Sequence, residues 1–400
     1  MERVGSPEAV PRSDATHHVR RFLTPLHGVS LAAEDMERED SQSTLPLWFH
    51  ENRDKDGNPN NKVFGVTNCH VLRRNPTVDY EHRGGASMSY VRICGGRRFN
   101  RGLDETTNEI ANRAMAADLL TREIATLQST EEDVKEIEAK QWYLDRETKA
   151  VNDLSDFHLN ATRNWSHISL HLNIGYTQYA PAITVDEGSR FTSDWGVFVA
   201  AEAKVKDAFI GNFVFLGAFY LVFTSKNETH SLGANHTLQQ HNQMFYPIGG
   251  DPTTFKFPEE GKLRIEGWST LDELAVPEDI DSEHQRFVMV AKDGNTADLT
   301  VGRYTGLVSF TENEVGVTSI EIGIYNSGRK TAEAFSEKGD SGALVWRMKN
   351  GKAFIVGQLH SGQNKGGSTT NHVTYCTPGE KLFANIKAKF PHADFFCTSW

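Results

Sequence analysis

The sequence predicts a mainly β protein, built as two β-barrels or as a sandwich and interrupted by one helical insertion. Short runs rich in Val, Ile, Phe and Tyr recur along most of the 400-residue chain, and Gly, Asn, Asp and Pro separate them. One stretch, 104–157, breaks this pattern because it contains no Gly or Pro and is dominated by Ala, Glu, Leu and Lys. The chain length suggests two or three domain-sized units.

The first half of the chain predicts an extension followed by one barrel. Residues 1–43 are polar and hold three prolines, which is typical of an extension that is partly ordered at best. Strand-like runs follow at 45–49, 62–67, 165–174, 178–185 and 195–200. We therefore expect a first β-barrel over 44–225, with the helical insertion at 104–157 inside it.

The helical insertion carries one apolar stripe. Its apolar residues recur at spacings of three, four and seven, the period of an amphipathic helix: Ile110, Ala114, Ala117, Leu120, Ile124, Leu127 and Val134. The stretch predicts either one helix of about 70 Å, at about 1.5 Å per residue, or a helical hairpin. Packing on the chain's own barrel is favoured, because two or three clean heptads are too few for a coiled coil. A protein partner bound to this insertion is the alternative.

The second half predicts another barrel, a closing helix and a short tail. Strand-like runs lie at 263–268, 286–291, 299–310 and 319–325. Two more runs, 343–346 and 354–359, flank Lys349-Asn-Gly-Lys, and Asn-Gly is a strong signal for a β-hairpin. Residues 380–390 predict a helix. We therefore expect a second barrel with its closing helix over 226–390 and a C-terminal tail over 391–400.

Composition and charge exclude several classes of protein. The net charge of −11 leaves no basic surplus to neutralise phosphates, which argues against nucleic-acid binding. The most apolar stretch, 208–223, is shorter than the roughly 20 residues of a membrane-spanning helix, so we expect no membrane association. We also expect no signal peptide, and hence an intracellular, cytoplasmic protein. The protein has four cysteines, Cys69, Cys94, Cys376 and Cys397. In such a compartment they are expected to be free thiols, although the sequence does not exclude any disulfide pairing among them.

The sharpest motif is Glu337-Lys-Gly-Asp-Ser-Gly-Ala-Leu-Val-Trp. Its glycines let the backbone turn tightly just before a buried strand, which presents Ser341 to a substrate. The amides of Gly339 and Ser341 would then point at an attacked carbonyl oxygen and form an oxyanion hole. Taken alone, the motif is a modest signal, and the alternative is a turn with an ordinary serine.

A serine nucleophile needs a base, and the base needs an orienting carboxylate. His70 ends the motif Val66-Thr-Asn-Cys-His, directly after an apolar strand. Asp194 precedes an apolar strand in Ser193-Asp-Trp-Gly-Val-Phe-Val. Each is a weak signal alone, since a lone histidine is more often structural and an Asp turn before a strand is common. The order His70, Asp194, Ser341, each at a strand end of a β-rich chain, is a strong combination.

These three motifs resemble those of the chymotrypsin/trypsin-like serine proteases, and the similarity covers roughly 45–390. The resemblance implies two six-stranded β-barrels with the active site in the cleft between them. It implies that His70 is general base and acid, that Asp194 orients it, and that Ser341 is the nucleophile, with no cofactor. The helical insertion and the motif Val301-Gly-Arg-Tyr-Thr-Gly are closer to a fungal group of intracellular trypsin-like peptidases.

The resemblance also implies a substrate-binding region, formed by Phe335, Ser336, His360, Ser361 and Gly362. The run 356–362 is similar to the strand that borders the primary specificity pocket and that pairs with the substrate backbone. Phe335, six residues before the nucleophile, would form the floor of that pocket. No carboxylate stands there, which disfavours a preference for Lys or Arg, and His360 suggests an acidic residue instead.

The sequence departs from the family pattern at two positions. Ala343 replaces the second glycine that usually follows the nucleophile. No activation site would deliver a new N-terminus to Asp340, so Asp340 must have another partner or none. The substrate is expected to be a peptide or protein.

Other sites are less well supported. Two groups of histidines were considered as metal ligands: the pair His167 and His171, and the loop residues His230, His236 and His241. Neither group has a further ligand at metal-binding spacing, so we expect no metal. Cys69 adjoins His70, but neighbours on a strand face opposite sides, so Cys69 is expected to be buried and inert. The sequence thus favours a serine endopeptidase. The alternative is a non-catalytic or self-inhibited protease-like scaffold that binds a protein through the helical insertion.

Overall fold

The structure, a computed structural model, describes residues 15–16, 27–39, 42–54, 56–129, 134–165, 172–216, 245, 255–256, 258, 261–281, 284–312, 317–326, 334–364 and 372–400. The strands of the first half are β1 (Ser30–Ala33), β2 (Ser43–Thr44), β3 (Leu47–Arg53), β4 (Pro59–Thr67), β5 (Tyr80–Glu81), β6 (Tyr90–Arg92), β7 (Asn173–Ala180), β8 (Thr184–Val185), β9 (Thr192–Ser193) and β10 (Gly196–Ala200).

The strands of the second half are β11 (Phe213–Phe215), β12 (Lys262–Trp268), β13 (Asp279–Ile280), β14 (Arg286–Gly294), β15 (Asp298–Tyr304), β16 (Val308–Glu312), β17 (Thr318–Asn326), β18 (Leu344–Lys349), β19 (Lys352–Asn364), β20 (His372–Pro378) and β21 (Ala393–Asp394). The helices are α1 (Cys69–Leu72), α2 (Gly96–Ser129), α3 (Val134–Asn164), α4 (Glu202–Val205), α5 (Leu271–Leu274) and α6 (Gly379–Lys389), with 3₁₀ turns at Glu34–Glu39 and Lys206–Ala208. Within these described ranges, no helix combines the length and apolar character needed to cross a bilayer.

Six antiparallel strands form the first barrel, in the order β1–β6–β7–β10–β4–β3. The barrel closes just before β3. Gly28 N donates to Leu45 O at 3.1 Å, and Leu45 N donates to Val29 O at 2.9 Å. Its interior is filled by apolar side chains that include Leu31, Val63, Val91, Ile174 and Phe198.

The second barrel closes through strand pairing alone, in the order β14–β15–β17–β20–β19–β18 and back to β14. The predicted hairpin between β18 and β19 is confirmed. Asn350 and Gly351 have φ values of 54° and 74°, the left-handed pair that a two-residue hairpin turn requires. The predicted mainly β class, with two barrels and a closing helix, is therefore confirmed.

One hydrophobic cluster joins the two barrels. It includes Phe64 and Val197 from the first barrel, Leu299 and Trp346 from the second, and Phe383 from α6. Protein cores are close-packed and resist deformation. The strand ends at the junction therefore hold their relative positions.

The insertion is a helical hairpin that begins earlier and ends later than the predicted 104–157. It leaves the first barrel between β6 and β7, as α2 followed by α3. Phe99, Leu154 and Phe157 are buried together at its base, which extends both helices onto the barrel. Towards its tip, Lys140 Nζ lies 2.7 Å from Glu123 Oε2 across the two helices.

Both ends of the described chain carry more structure than the sequence predicts. Ser30–Ala33, assigned to the extension, is a barrel strand, and its four residues are all buried because it pairs with β6. Ala393–Asp394, assigned to the tail, pairs with β3. The adjacent Phe395 is 1 % exposed, so the tail adds its ring to the shared core.

Candidate active site

His70 lies at the end of β4, in the single helical turn α1. Asp194, just before β10, closes this turn because its Oδ1 accepts the backbone amides of Cys69 at 2.8 Å and His70 at 3.3 Å. The other carboxylate oxygen, Oδ2, lies 2.5 Å from His70 Nδ1. Asn68 Nδ2 also donates to Asp194 O at 2.9 Å. Asp194 is thereby fixed to His70 by both backbone and side chain.

The environment of this pair suits an imidazole that exchanges protons. Burial lowers the pKa of His70, but the charge and hydrogen bond of Asp194 outweigh it and raise that pKa above its usual value. Burial raises the pKa of Asp194, but His70 outweighs it and holds that pKa below its usual value. Because Nδ1–H is donated to Asp194, the lone pair of the neutral ring is on Nε2. The side chain of His70 is 32 % exposed, against 4 % for Asp194, so the ring remains accessible.

Ser341 lies on a tight loop that packs against the end of β4. Gly339 and Gly342 have φ values of 108° and 88°, which favour glycine. A Cβ on Gly342 would lie 2.7 Å from Thr67 Oγ1 and 3.3 Å from Asn68 Oδ1, so the loop abuts the turn that carries His70. Among the described residues, no hydrogen bond joins the Ser341 hydroxyl to His70. Such bonds are often long in unliganded sites and shorten when substrate binds.

The amides around Ser341 divide into two groups. Those of Asp340, Gly342 and Ala343 donate to backbone carbonyls at 3.1, 2.8 and 2.9 Å. The amides of Gly339 and Ser341 have no acceptor among the described residues. Two backbone donors without an acceptor, two residues apart on one loop, are available to bind a negatively charged oxygen.

Asp340 has an internal partner that sequence reasoning missed. Its Oδ2 lies 2.9 Å from Lys292 Nζ, and both side chains are fully buried. Lys292 follows the apolar run of β14, and a lysine at such a position needs a partner inside the protein. The position of Lys292 in a buried strand was the available signal, but its partner lies on another element and could not be inferred from spacing.

The predicted pocket floor is not accessible. Phe335 is 1 % exposed and packs in the core of the second barrel, because its backbone is held by Thr300 Oγ1 and Asn326 Oδ1. Its ring therefore does not face a substrate. Ser336 is buried too, with its Oγ 3.0 Å from His372 Nε2. His372 is a further polar group of this region that the sequence analysis did not single out.

His360, Ser361 and Gly362 lie on β19, but their side chains differ in accessibility. His360 Nε2 is 3.0 Å from Glu321 Oε2, and their side chains are 8 % and 1 % exposed. His360 is thus occupied by a carboxylate of its own barrel and does not present its imidazole to a substrate. In the described part of the chain, residues 361–364 pair only with β20, because pairing with β18 ends at Gln358, and His360 lies at an irregularity of the pairing with β20. Among the described residues, no strand pairs with the other backbone edge of this segment.

Two alternative sites receive no support from the described residues. No group of His, Cys, Asp and Glu there is arranged to hold a metal, and the five histidines considered as ligands lie outside those residues. All four cysteines are free thiols. Burial raises the pKa of Cys69 to about 12, which opposes formation of a reactive thiolate.

Comparisons with known proteins find similar folds at low similarity. No protein-family model and no curated protein matches the chain. Thermobifida fusca protease A matches with a TM-score of 0.34 and 9 % identity, over 91 % of this chain and 96 % of that one. Nocardiopsis protease matches with a TM-score of 0.33 and 10 % identity, over 90 % and 96 %. Cellulomonas bogoriensis chymotrypsin matches with a TM-score of 0.26 and 15 % identity, over 57 % and 81 %. The chemical assignment depends on this chain's own residues.

Proposed function

We propose that the protein is a serine endopeptidase that uses His70, Asp194 and Ser341. The observation that carries the proposal is the hydrogen-bonded His70–Asp194 pair beside the serine loop. In the described part of the chain, His70 Nε2 and the amides of Gly339 and Ser341 have no hydrogen-bond partner. A base with its orienting carboxylate, a nucleophile and an oxyanion site are the parts that acyl transfer requires. The peptide or protein substrate, the intracellular location and the similarity to the fungal peptidase group are part of this proposal.

In the proposed reaction, His70 Nε2 removes the proton of Ser341 Oγ as that oxygen attacks the peptide carbonyl. The carbonyl oxygen becomes negative and accepts hydrogen bonds from the amides of Gly339 and Ser341. The His70 cation, stabilised by Asp194, then protonates the leaving amine, and an acyl ester forms on Ser341. Water, activated by the same imidazole, hydrolyses the ester and restores the enzyme.

The substrate backbone is proposed to add as a strand to the open edge of residues 360–362. Extended peptides bind exposed sheet edges through main-chain hydrogen bonds. Ser361 and Gly362 supply that edge, while Ser336 lies behind it with His372. Phe335 and His360 are buried, so they pack beneath the substrate-binding edge and do not contact the substrate.

A second candidate is a self-inhibited or non-catalytic scaffold. The observation that favours it is the helical hairpin, which exposes the large apolar side chains of Met115, Leu119 and Trp142 by 73 %, 58 % and 57 %. Exposed apolar residues on one element are a feature of partner-binding surfaces. In this alternative, the Ser341 hydroxyl forms no hydrogen bond to His70, and the function of the protein is to bind a partner through the helical hairpin.

A fluorophosphonate probe distinguishes the two candidates because it reacts with an activated serine whatever the substrate. We expect labelling of the wild type, and its loss in Ser341→Ala and His70→Ala. Ser87→Ala, which removes an exposed serine hydroxyl elsewhere, is the matched control and should label normally. A folded wild type that does not label, or a Ser341→Ala variant that does, would contradict the endopeptidase proposal.

A further inference from the structure

We propose that a hydrogen-bonded relay of Glu321, His360 and Ser361 selects substrates that place a hydrogen-bond donor against Ser361. The donor is the ammonium of Lys, the guanidinium of Arg or a primary amide. In this proposal Ser361 contacts the substrate, while Glu321 and His360 are positioning residues that act through it. The inference rests on the proposed function, because it assigns a preference to the strand edge to which the substrate backbone is proposed to add.

Glu321, on β17, is the buried end of the relay. Its side chain is 1 % exposed. Its Oε1 accepts the hydroxyl of Ser319 at 2.8 Å and also the hydroxyl of Thr192. Its Oε2 lies 3.0 Å from His360 Nε2. A buried carboxylate has to be hydrogen-bonded, and here two hydroxyl groups and one imidazole nitrogen meet that need.

Glu321 determines which nitrogen of His360 carries the hydrogen. A proton shared by a carboxylate and an imidazole resides on the imidazole, because the imidazole is the stronger base. The neutral ring of His360 therefore has its hydrogen on Nε2 and its lone pair on Nδ1. His360 Nδ1 lies 3.0 Å from Ser361 Oγ. In this tautomer the serine hydroxyl has to be the donor of that bond.

An irregularity in β19 brings these two neighbouring side chains together. Successive side chains on a regular strand face opposite sides of the sheet. The pairing with β20 shifts its register between Leu359 and Ser361, so His360 lies at the irregularity. Such irregularities change the direction of a side chain. The imidazole of His360 thus stays buried against Glu321 and still reaches the hydroxyl of the next residue.

Ser361 is the exposed end of the relay. A hydroxyl group has one hydrogen to donate and two lone pairs that accept. Because its hydrogen is donated to His360, Ser361 offers a bound peptide only lone pairs. A donor on the substrate pairs with them, whereas a carboxylate would meet them with the negative charge of Glu321 behind. This polarity is the reverse of the acidic preference that His360 suggests in the sequence.

A positional peptide library tests the preference with the full-length protein. Each position of the peptide is varied among Lys, Gln, Leu and Glu, and the relative kcat/KM is measured for each peptide. At the position that faces Ser361, we expect Lys and Gln to exceed Glu about tenfold or more, the effect of one hydrogen bond to a charged or buried partner. Positions that do not face Ser361 provide the internal reference.

Two variants connect this preference to the relay. Ser361→Ala removes the acceptor, so the Lys-to-Glu ratio should fall about tenfold at that one position. Glu321→Gln keeps the shape of the side chain and removes the buried charge that fixes the tautomer, so the same ratio should fall. The matched controls are Ser87→Ala and Glu312→Gln, which alter an exposed serine and an exposed carboxylate on the neighbouring strand β16. Both controls should keep the wild-type ratios.

The outcomes separate this inference from the proposed function. A wild type that labels with the fluorophosphonate and cleaves peptides, but whose Lys-to-Glu ratios do not respond to Ser361→Ala, overturns the relay alone. A wild type that neither labels nor cleaves contradicts the proposed endopeptidase. The tautomer is read without any activity, from the nitrogen resonances of His360 in the wild type. A neutral ring with its hydrogen on Nδ1 overturns the inference.

Discussion

Two buried aspartates, Asp194 in the first barrel and Asp340 in the second, are held in similar ways but serve different ends. In each carboxylate, Oδ1 accepts hydrogen bonds from backbone amides and Oδ2 lies against the nitrogen of a His or Lys side chain; Asp340 Oδ2 also accepts the Glu337 amide. The partners of the two aspartates differ in solvent exposure. The side chain of His70, which pairs with Asp194, is 32 % exposed, whereas that of Lys292, which pairs with Asp340, is fully buried. Histidine is the side chain that changes charge near neutral pH, and a buried lysine–carboxylate pair is a fixed contact.

In the proposed mechanism, this difference separates His70, which transfers a proton, from the Lys292–Asp340 pair, which keeps its charges and its position. That mechanism requires the imidazole to reach both Ser341 and the leaving group, which agrees with the partial exposure of the His70 side chain. The amides of Gly339 and Ser341 are effective only if they are already aligned when charge develops. The buried Lys292–Asp340 ion pair can meet that requirement because both of its side chains are shielded from solvent.

The largest expected effect comes from removing the charge of Asp194. In Asp194→Asn the amide no longer selects the Nδ1–H tautomer, so Nε2 loses its role as base and kcat/KM should fall about 10⁴-fold. Asp186→Asn, which alters an exposed turn aspartate bonded to Ser189, is the control and should be active. Hydrolysis of an activated peptide ester measures both. Equal activity in the two variants would remove Asp194 from the mechanism.

Removing the charge of Asp340 should lower the activity less than Asp194→Asn does, and should lower the free energy of unfolding more. Asp340→Asn leaves the Lys292 ammonium buried without its counter-charge, which costs about 3–5 kcal/mol. The loop amides lose alignment, so kcat should fall about 10²–10³-fold. Chemical unfolding and ester hydrolysis measure the two effects. A variant as stable as the wild type would mean that the pair contributes nothing to folding.

The pH dependence should distinguish the two aspartates qualitatively. The base must be neutral, so the labelling rate should fall as pH decreases through the pKa of His70, which Asp194 raises above its usual value. Asp194→Asn removes the acidic partner, so the midpoint of its residual rate should move to lower pH. Lys292→Met should lower the rate without moving the midpoint. A midpoint that shifts in Lys292→Met and not in Asp194→Asn would reverse these roles.

The smallest expected effect concerns the contact between the helical hairpin and the turn between β14 and β15, whose amides bind the Asp340 carboxylate. Arg101→Ala removes the hydrogen bond that Arg101 Nη2 donates to Asn295 O at 2.8 Å, worth about 1 kcal/mol, so the labelling rate should fall by at most about fivefold. Arg122→Ala, which breaks an exposed ion pair with Asp118 on the same helix, is the matched control. Loss of labelling in both would point to damage to the hairpin rather than to this contact.

The fold was largely predictable because strands and turns are local features of the chain. The hairpin at Asn350–Gly351 follows from two residues that tolerate left-handed backbone. Strand β1 was missed because its small residues are buried by pairing with β6, a distant contact. The ends of the helical insertion were missed for the same reason, since Phe99 extends α2 only by packing against α3.

The candidate site was predictable where a motif carries it and not where a distant partner does. His70, Asp194 and Ser341 each follow from a local pattern at a strand end. The burial of Phe335 in the barrel core, the Glu321 partner of His360 and the Lys292 partner of Asp340 all depend on contacts between elements. No spacing within one segment encodes such contacts.

The most direct test of a pre-assembled serine site is a crystal structure of the uncleaved chain after reaction with a fluorophosphonate. We expect a bond from phosphorus to Ser341 Oγ, and a phosphonyl oxygen about 2.7–3.1 Å from the amides of Gly339 and Ser341. Lys292 should still be paired with Asp340. An adduct on another residue, or a phosphonyl oxygen that contacts neither amide, would contradict the account.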